Sequence, residues 1–227
     1  MTVVDTSSAR PQDYLGALGT TGLTAYAALT RVAPVREGDV VFISAAAGAV
    51  GSVAGQLARK LGASRVIGSG ARPRPRRCST TSDTTPLSAT AGRLGEQLAQ
   101  AAPEGIDVYL DSVGGDHLQA AITAIRPGGR IALVGAISGY NTTEPARGPD
   151  NLFQAAAKEV TLRGMLVSSY FTLFPEWIGQ ASGRLADGTL RTEETVTEGI
   201  EEAPGAFLGM MRGTNTGKAL VRLATGQ

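Results

Sequence analysis

The 227-residue sequence contains one cysteine, Cys78, and one histidine, His117. A disulfide framework needs paired cysteines, and a structural or catalytic zinc site needs three or four clustered ligands. The sequence therefore predicts neither disulfides nor a metal site. We expect Cys78 to be an incidental thiol and His117 to be a surface residue on an exposed helix.

Charge of one sign and long apolar runs are also scarce. The net charge is +1 at pH 7, so no global field favours nucleic acid. No apolar run reaches the length of a membrane span, and residues 1–9 lack the apolar core of a secretory signal. We therefore expect a cytoplasmic protein without nucleic-acid or membrane partners. Its 42% of hydrophobic residues is typical of a globular chain with a buried core.

The sequence does contain short apolar runs that alternate with helical periodicities. Strands are expected at 40–43, 65–68, 106–110, 130–134 and 160–167. Helices are expected at 19–32, 49–61, 93–102, 115–125, 150–158 and 174–186. This alternation predicts an α/β chain, with a doubly wound Rossmann fold built on a parallel sheet. We divide it into a linker (1–15), a nucleotide-binding domain (16–188) and a C-terminal segment (189–227).

Segment 70–91 departs from this alternation. It is rich in arginine, proline, serine and threonine, and Leu87 is its one large apolar residue. A doubly wound sheet should place a helix and a short strand here, and neither pattern is present. We therefore expect an irregular surface loop.

The stretch 45–51, which reads AAAGAVG, lies between the first strand and the helix that follows it. Small residues allow the backbone to approach a pyrophosphate, and the start of the helix offers unpaired N–H groups and a positive dipole end. Gly51 would let the helix pack closely on the strand. The pattern predicts a dinucleotide site at Gly48, Ala49, Val50 and Gly51; alternatively, the glycines serve only a tight turn. A kinase-type phosphate loop is excluded, because no Gly-Lys-Ser/Thr follows.

The second strand indicates which dinucleotide is preferred. NAD enzymes place an acidic residue at its end, whereas residues 66–71 contain none and Arg72 and Arg74 follow. Absence of the acid together with nearby cations favours NADP(H). The alternative is that these arginines belong to a solvated loop.

Three later strand ends, at 111–115, 135–141 and 165–168, carry hydroxyl side chains, and the first two also contain glycines. Because the carboxyl ends of parallel strands meet at one edge of a sheet, these segments should line one groove. Ser112, Ser138 and Tyr140 would supply hydroxyls there. Ordinary turn chemistry is the alternative for any one of them.

Five segments, in order, resemble the zinc-independent medium-chain dehydrogenases/reductases, specifically the prostaglandin and leukotriene reductase or alkenal double-bond reductase branch. They are 19–26, 45–51, 110–115, 135–141 and 213–218. The resemblance implies hydride transfer from NADPH to the carbon–carbon double bond of a small enone or enal, without a metal. Tyr140 is the expected catalytic residue, supporting the enolate or its protonation; a packed turn tyrosine is the alternative.

The resemblance also implies a set of cofactor contacts. The phosphate loop would hold the pyrophosphate, Thr24 would lie near the nicotinamide, and Asn215 would contact the phosphates. Turn residues would line the nicotinamide ribose, and the backbone after the last strand would face the carboxamide. The predicted cofactor residues are Thr24, Gly48, Ala49, Val50, Gly51, Arg72, Ser112, Gly135, Ala136, Ile137, Ser138, Tyr140, Met165, Leu166, Val167 and Asn215. The family often has Asn at the position of Ser112.

The sequence departs from the family in two ways. The family begins with a GroES-type domain that supplies much of the substrate pocket, and this sequence starts just before the Rossmann part. Segment 70–91 lacks the family's usual Lys for the 2′-phosphate, although its length is nearly preserved, which fits a local reading-frame shift that is later corrected.

Three functions therefore stay open: an NADPH-dependent enone or enal reductase, an NADP-binding fragment without turnover, and a quinone reductase. Segment 189–227 would pack on the GroES-type domain. Without that domain, Phe207, Met210 and Met211 would be partly exposed and would favour self-association, so a homodimer is one expected state.

Overall fold

The computed structural model describes residue 6 and residues 9–70, 84–88, 93–143 and 148–223. The strands are β1 Val40–Ile43, β2 Arg65–Gly70, β3 Thr84–Ser88, β4 Ile106–Asp111, β5 Ile125–Leu133, β6 Thr161–Gly164, β7 Glu194–Glu198 and β8 Lys218–Arg222. The α-helices are α1 Pro11–Leu15, α2 Thr20–Ala27, α3 Ala49–Lys60, α4 Leu94–Ala101, α5 Gly115–Ala124, α6 Leu152–Ala157, α7 Phe174–Ala186 and α8 Ala203–Met211. A π-helical turn, Ala28–Val32, continues α2, and 3₁₀ turns cover Ile137–Gly139, Val167–Leu173 and Ile200–Glu202.

Six strands form one parallel sheet in the order β3-β2-β1-β4-β5-β6. Val41 of β1 is opposite Val66 of β2 on one side and Val108 of β4 on the other. The strand order reverses between β1 and β4, and in such sheets a dinucleotide binds outside the carboxyl ends at this point. The predicted doubly wound fold is confirmed.

Side chains of the central strands alternate between two apolar layers. Val41 and Ile43 point to the layer covered by α2, α3 and α7. Phe42 points the other way and stacks on Tyr109, with ring centroids 4.8 Å apart. Strands that are buried on both faces need continuous apolar runs, which explains the VVFI sequence of β1.

The expectation of an irregular loop over 70–91 was wrong for Thr84–Ser88, which form β3 and pair in parallel with β2. An edge strand pairs on one side only, so Pro86 can be accommodated there although it lacks an N–H group. Threonines favour extended backbone, and Leu87, 7% exposed, anchors the strand in the core. Residues 71–83 and 89–92 lie outside the described residues.

Other differences from prediction concern the ends of elements. β5 begins at Ile125 rather than near 130, because Ile125 already pairs with Ile106 before an irregularity in the register. β6 ends at Gly164; the N–H of Met165 donates to the carbonyl of Leu133 at 3.0 Å, and the chain then turns away. Inside the predicted linker, Pro11–Leu15 form α1, at whose start the carboxylate of Asp13 accepts the backbone N–H of Arg10.

The C-terminal segment forms a small ribbon of two parallel strands, β7 and β8, with α8 between them in sequence. The N–H of Gly217 donates to the carbonyl of Ala47 at 2.9 Å, which joins the ribbon to the loop after β1. The division into three parts stays a prediction. Across the described ranges, no helix has both the length and the apolar character required to cross a membrane.

Candidate dinucleotide-binding site

The loop after β1 is held in a tight, strained turn. Ala45 has φ 49°, a left-handed conformation that costs a non-glycine residue about 1 kcal/mol. The N–H of Ala46 donates to the carbonyl of Ser69 at 2.8 Å, and that of Gly48 donates to the carbonyl of Ala45 at 2.9 Å. These bonds fix the loop to the end of β2 and direct the chain into α3. Strain of this kind persists where the surroundings determine the conformation, as at binding sites.

Helix α3 starts directly after this turn, with Gly48 at its N-cap. A Cβ on Gly51 would lie 2.7 Å from Cα of Ala46 and closer still to the carbonyl of Ala45, so only glycine fits between helix and loop. The N–H groups of the first turn have no acceptor within the helix. Together with the helix dipole they form a cradle for a phosphate. The predicted residues Gly48, Ala49, Val50 and Gly51 thus share one helix start.

The C-terminal ribbon contacts the same loop. Besides the Gly217–Ala47 bond, the side-chain amide of Asn215 donates to the carbonyl of Gly217 at 3.1 Å. Gly217 has φ 63°, and a Cβ there would overlap the carbonyl of Glu193. The side chain of Gln56, on α3, exchanges two 2.9 Å bonds with the backbone of Arg191. The structure therefore places the segment that carries Asn215 beside the phosphate loop.

The turns after β4 and β5 interlock through backbone hydrogen bonds. The N–H of Ile137 donates to the carbonyl of Ser112 at 3.2 Å. The carbonyl of Val113 accepts both the N–H and the hydroxyl of Ser138, at 3.1 Å and 2.6 Å. Segments 112–115 and 135–138 therefore form one continuous surface at the carboxyl edge of the sheet.

Tyr140 follows this surface on the solvent side. Its side chain is 64% exposed, and its hydroxyl accepts a long hydrogen bond, 3.4 Å, from the N–H of Ala136. Gly135 lies directly beneath, because a Cβ on it would be 3.5 Å from the Tyr140 hydroxyl. The role of Tyr140, as a substrate contact or as a turn tyrosine, stays a prediction.

Thr24 and residues 165–167 lie on two further parts of the chain. Thr24 is half-buried on α2, and its hydroxyl donates to the carbonyl of Thr20 at 2.7 Å. Helix α2 packs against the turn that contains Val167. Met165 is half-buried after β6, whereas Leu166 is 69% exposed. Arg72 lies outside the described residues, so its place at the adenine end stays a prediction.

Sequence reasoning missed two buried polar side chains beneath these turns. Ser44, fully buried, follows β1, and Asp111, 1% exposed, ends β4. Burial, and next the charge of Asp111, raise the pKa of the neighbouring Tyr109. The available signal was a polar residue at the end of an uninterrupted apolar strand. In the part of the chain that the structure describes, no three His, Cys, Asp or Glu side chains are grouped so as to hold a metal ion.

Most of this site lies within a stretch of the chain that matches a known protein family. Residues 49–182, from the start of α3 to within α7, match the family model described as zinc-binding dehydrogenase. The matched range contains the helix start at the phosphate loop and the turns after β4, β5 and β6.

Individual proteins match over nearly the whole chain. Prostaglandin reductase 1 of Bos taurus is 38% identical over 92% of this chain. The NADP(+)-dependent 2-alkenal reductase of Nicotiana tabacum is 35% identical over 93% of it. The chain spans 64% and 62% of the length of these two relatives.

A solved structure matches as well. CurA of Vibrio vulnificus, determined in complex with NADPH, superposes with a TM-score of 0.86 at 34% identity. That comparison covers 95% of this chain and 66% of CurA. The fold of the described residues is therefore shared with a protein that was crystallised with NADPH.

Proposed function

Since the chain belongs to the zinc-binding dehydrogenase family, as its resemblance to the medium-chain dehydrogenases/reductases predicted, we propose that it binds NADP(H) and reduces the carbon–carbon double bond of enones or enals. Despite the family's name, the proposal involves no zinc. The sequence contains one histidine and one cysteine, and a zinc site needs three or four clustered ligands. These residues do not fit a zinc ion.

The observation that carries the proposal is the cradle at the start of α3. A Cβ on Gly51 would collide with Ala46, and the first-turn N–H groups open toward the carboxyl edge of the sheet. Ala49, Val50 and Gly51 would hold the pyrophosphate there, with Asn215 on the opposite side. Residues 135–138 would line the nicotinamide ribose. When bound, NADPH supplies the hydride.

The preference for NADP(H) is supported by the end of β2. This strand ends at Gly70 without an acidic side chain that could bind the adenine ribose hydroxyls. Arg72 follows and would meet the 2′-phosphate. The relative from Nicotiana tabacum is named as NADP(+)-dependent, which agrees with this preference.

Tyr140 is the residue that we propose for substrate activation. Tyr140 is 64% exposed, and its hydroxyl, which accepts the N–H of Ala136, can still donate a hydrogen bond to the carbonyl oxygen of an enone. Reduction at the β-carbon places negative charge on that oxygen, and a fixed donor stabilises the charge without being ionised. The relatives named as prostaglandin and 2-alkenal reductases support this substrate class.

Two measurements test the proposal. NADPH and NADH are titrated against the chain by fluorescence, and tighter binding of NADPH is expected; equal affinities, or tighter NADH, would reject the cofactor assignment. NADPH oxidation is then followed with a simple enone and with a quinone. Faster reaction with the quinone would favour the neighbouring quinone reductase function.

A second candidate is cofactor binding without turnover. Exposed apolar side chains beside the proposed cofactor site favour it. Among them are Ile137 and Leu166, which are 43% and 69% exposed. NADPH binding with no oxidation by either substrate would support it. A cytoplasmic location and a homodimer stay predictions.

A further inference from the structure

Asp111 ends β4 with a deeply buried carboxylate that gathers several donors. Its Oδ1 accepts the N–H groups of Val113 and Gly114 at 2.9 Å and 2.8 Å, and the hydroxyl of Tyr109 at 2.7 Å. Burial raises the pKa of Tyr109, so its phenol stays protonated and remains a donor. Hydrogen bonds to a charged acceptor are about twice as strong as those between neutral groups. This carboxylate is therefore a fixed point for the turn after β4.

Ser44 extends the network to β1. Its hydroxyl oxygen accepts the N–H of Ser112 at 2.8 Å and lies 3.4 Å from Oδ1 of Asp111. β1 and β4 are the strands that flank the reversal of strand order. The network thus lies directly beneath the point where a dinucleotide crosses the sheet.

The backbone of Asp111 holds the next turn. Its carbonyl accepts the N–H groups of Val134 and Gly135 at 2.8 Å and 3.2 Å. The carbonyls of Ser112 and Val113 then hold Ile137 and Ser138, as described above. A shift of the backbone at 112–113 would therefore displace the turn 135–138 as well.

We propose that Asp111 is a positioning residue for the nicotinamide half of the cofactor, acting through the turns 112–115 and 135–138. This inference rests on the proposed NADP(H) binding. In a doubly wound sheet each half receives one mononucleotide, and β4, β5 and β6 form the half opposite the adenine. Loss of the Asp111 carboxylate should consequently weaken the grip on the nicotinamide mononucleotide and spare the adenine half.

The test compares two ligands by calorimetry: NADPH, and adenosine 2′,5′-bisphosphate as the adenine half alone. The matched control is Asp107, on the same strand at its amino end, where its carboxylate pairs with Arg126 at 2.9 Å and accepts the N–H of Val40. Asp107→Ala also removes a hydrogen-bonded carboxylate from β4, but at the end of the strand opposite the turns. All measurements are made well below the melting transition of each variant.

We expect Asp111→Ala to weaken NADPH binding by about tenfold or more and to change bisphosphate binding by less than about twofold. Asp107→Ala should leave the ratio of the two affinities unchanged. Asp111→Asn retains an acceptor oxygen for Val113 and Gly114. It should therefore regain part of the NADPH affinity. This selective loss with partial rescue is not expected from general destabilisation.

Equal losses for both ligands, or an equal shift of the ratio by Asp107→Ala, would overturn the inference. Unchanged NADPH affinity in Asp111→Ala would do so too, while leaving the proposed function intact. A wild-type chain that fails to bind NADPH would instead reject the proposed function. If Asp111→Ala does not fold, Ser44→Ala serves as the second variant: it removes the acceptor for Ser112 and should give a smaller loss of the same selectivity.

Discussion

The phosphate loop, 45–51, and the outer side of the proposed cofactor cleft lie at the same edge of the sheet. The outer side, which we call the rim, includes Ile137 and Leu166, and the two regions are supported differently. Beneath the loop and the adjoining turns, Ser44 and Asp111 are buried, and Gly51 is packed against backbone. At the rim, Ile137 and Leu166 are exposed, with few side chains covering them. The phosphate loop is supported by buried contacts among the described residues, whereas the rim presents apolar side chains to solvent.

This difference separates two steps of the proposed function. Binding a dinucleotide needs the helix start and the strand-end turns, and these are held by bonds inside the chain. Reducing a substrate also needs a second wall that orients it and excludes water. The relatives extend beyond the region matched by this chain, which spans 64% of prostaglandin reductase 1. We therefore expect cofactor binding and turnover to respond differently to the same changes.

The largest effect is expected from supplying that second wall. The chain alone should bind NADPH and reduce an enone poorly, because orientation of both reactants contributes much of the rate. Fusing the N-terminal domain of a relative should raise kcat/KM by about 100-fold or more. The measurement is steady-state NADPH oxidation on both proteins. Comparable kcat/KM values would mean that the pocket is complete without the added domain.

The next effect concerns the loop itself. In Gly48→Val the new Cβ would lie 3.1 Å from the carbonyl of Ala45, so that carbonyl would have to move by a few tenths of an ångström, while the branched side chain would cover the phosphate cradle. NADPH affinity should fall by about tenfold to 100-fold with the fold retained. Fluorescence titration gives the affinity, and circular dichroism monitors the fold.

Gly95→Val is the control for this substitution. Gly95 is an exposed glycine on α4, away from the loop, and a Cβ on it would meet only open space. The substitution should leave NADPH affinity unchanged. If Gly48→Val also bound NADPH normally, the loop would serve only as a turn.

Tyr140→Phe tests the rim by removing a single oxygen. We expect a loss of about tenfold in kcat/KM for an enone, with the affinity for NADPH unchanged, because the hydroxyl would act on the substrate oxygen alone. The loss is smaller than for a buried oxyanion donor, since Tyr140 is 64% exposed. Steady-state kinetics on the fusion described above measure it. A fall in NADPH affinity equal to the fall in kcat/KM would contradict this role and leave Tyr140 only its predicted place among the cofactor residues.

Patterns within the sequence were sufficient for the interior of the fold. β1 and α7 lie where they were predicted, because continuous apolar runs and helical periodicity reflect burial directly. β3 was missed, since an edge strand needs only one apolar anchor, and Leu87 alone gives no periodicity. Local patterns therefore predict central elements better than edges.

The site was predictable only where it is local in sequence. The loop 45–51 lies between a strand and a helix, and both of these elements could be predicted from the sequence pattern. The contact of Gly217 with Ala47, and that of Ser44 with Asp111, join residues far apart in the chain. A single sequence carries no signal for such pairs. The polar ends of β1 and β4 were visible, but their partnership depends on the strand order.

The smallest expected effect concerns His117, predicted as a surface residue and half-buried on α5 in the structure. Burial lowers the pKa of His117, against the opposing charges of Asp111 and Asp116. Below the unfolded value of about 6.5 the unfolded chain therefore binds more protons, so this contribution to stability is present above that pH and is lost as the pH falls through the folded pKa. The Tm of the wild type minus the Tm of His117→Gln should accordingly fall by about 2 °C or less between pH 7.5 and pH 5.5. Asp116→Asn removes one of these carboxylates, so it should lower the His117 pKa further, and the variant should lose stability in acid more steeply than the wild type. Thermal melts at the two pH values measure both effects, and a difference in Tm that grows toward low pH would show that the folded state favours the charged imidazole instead.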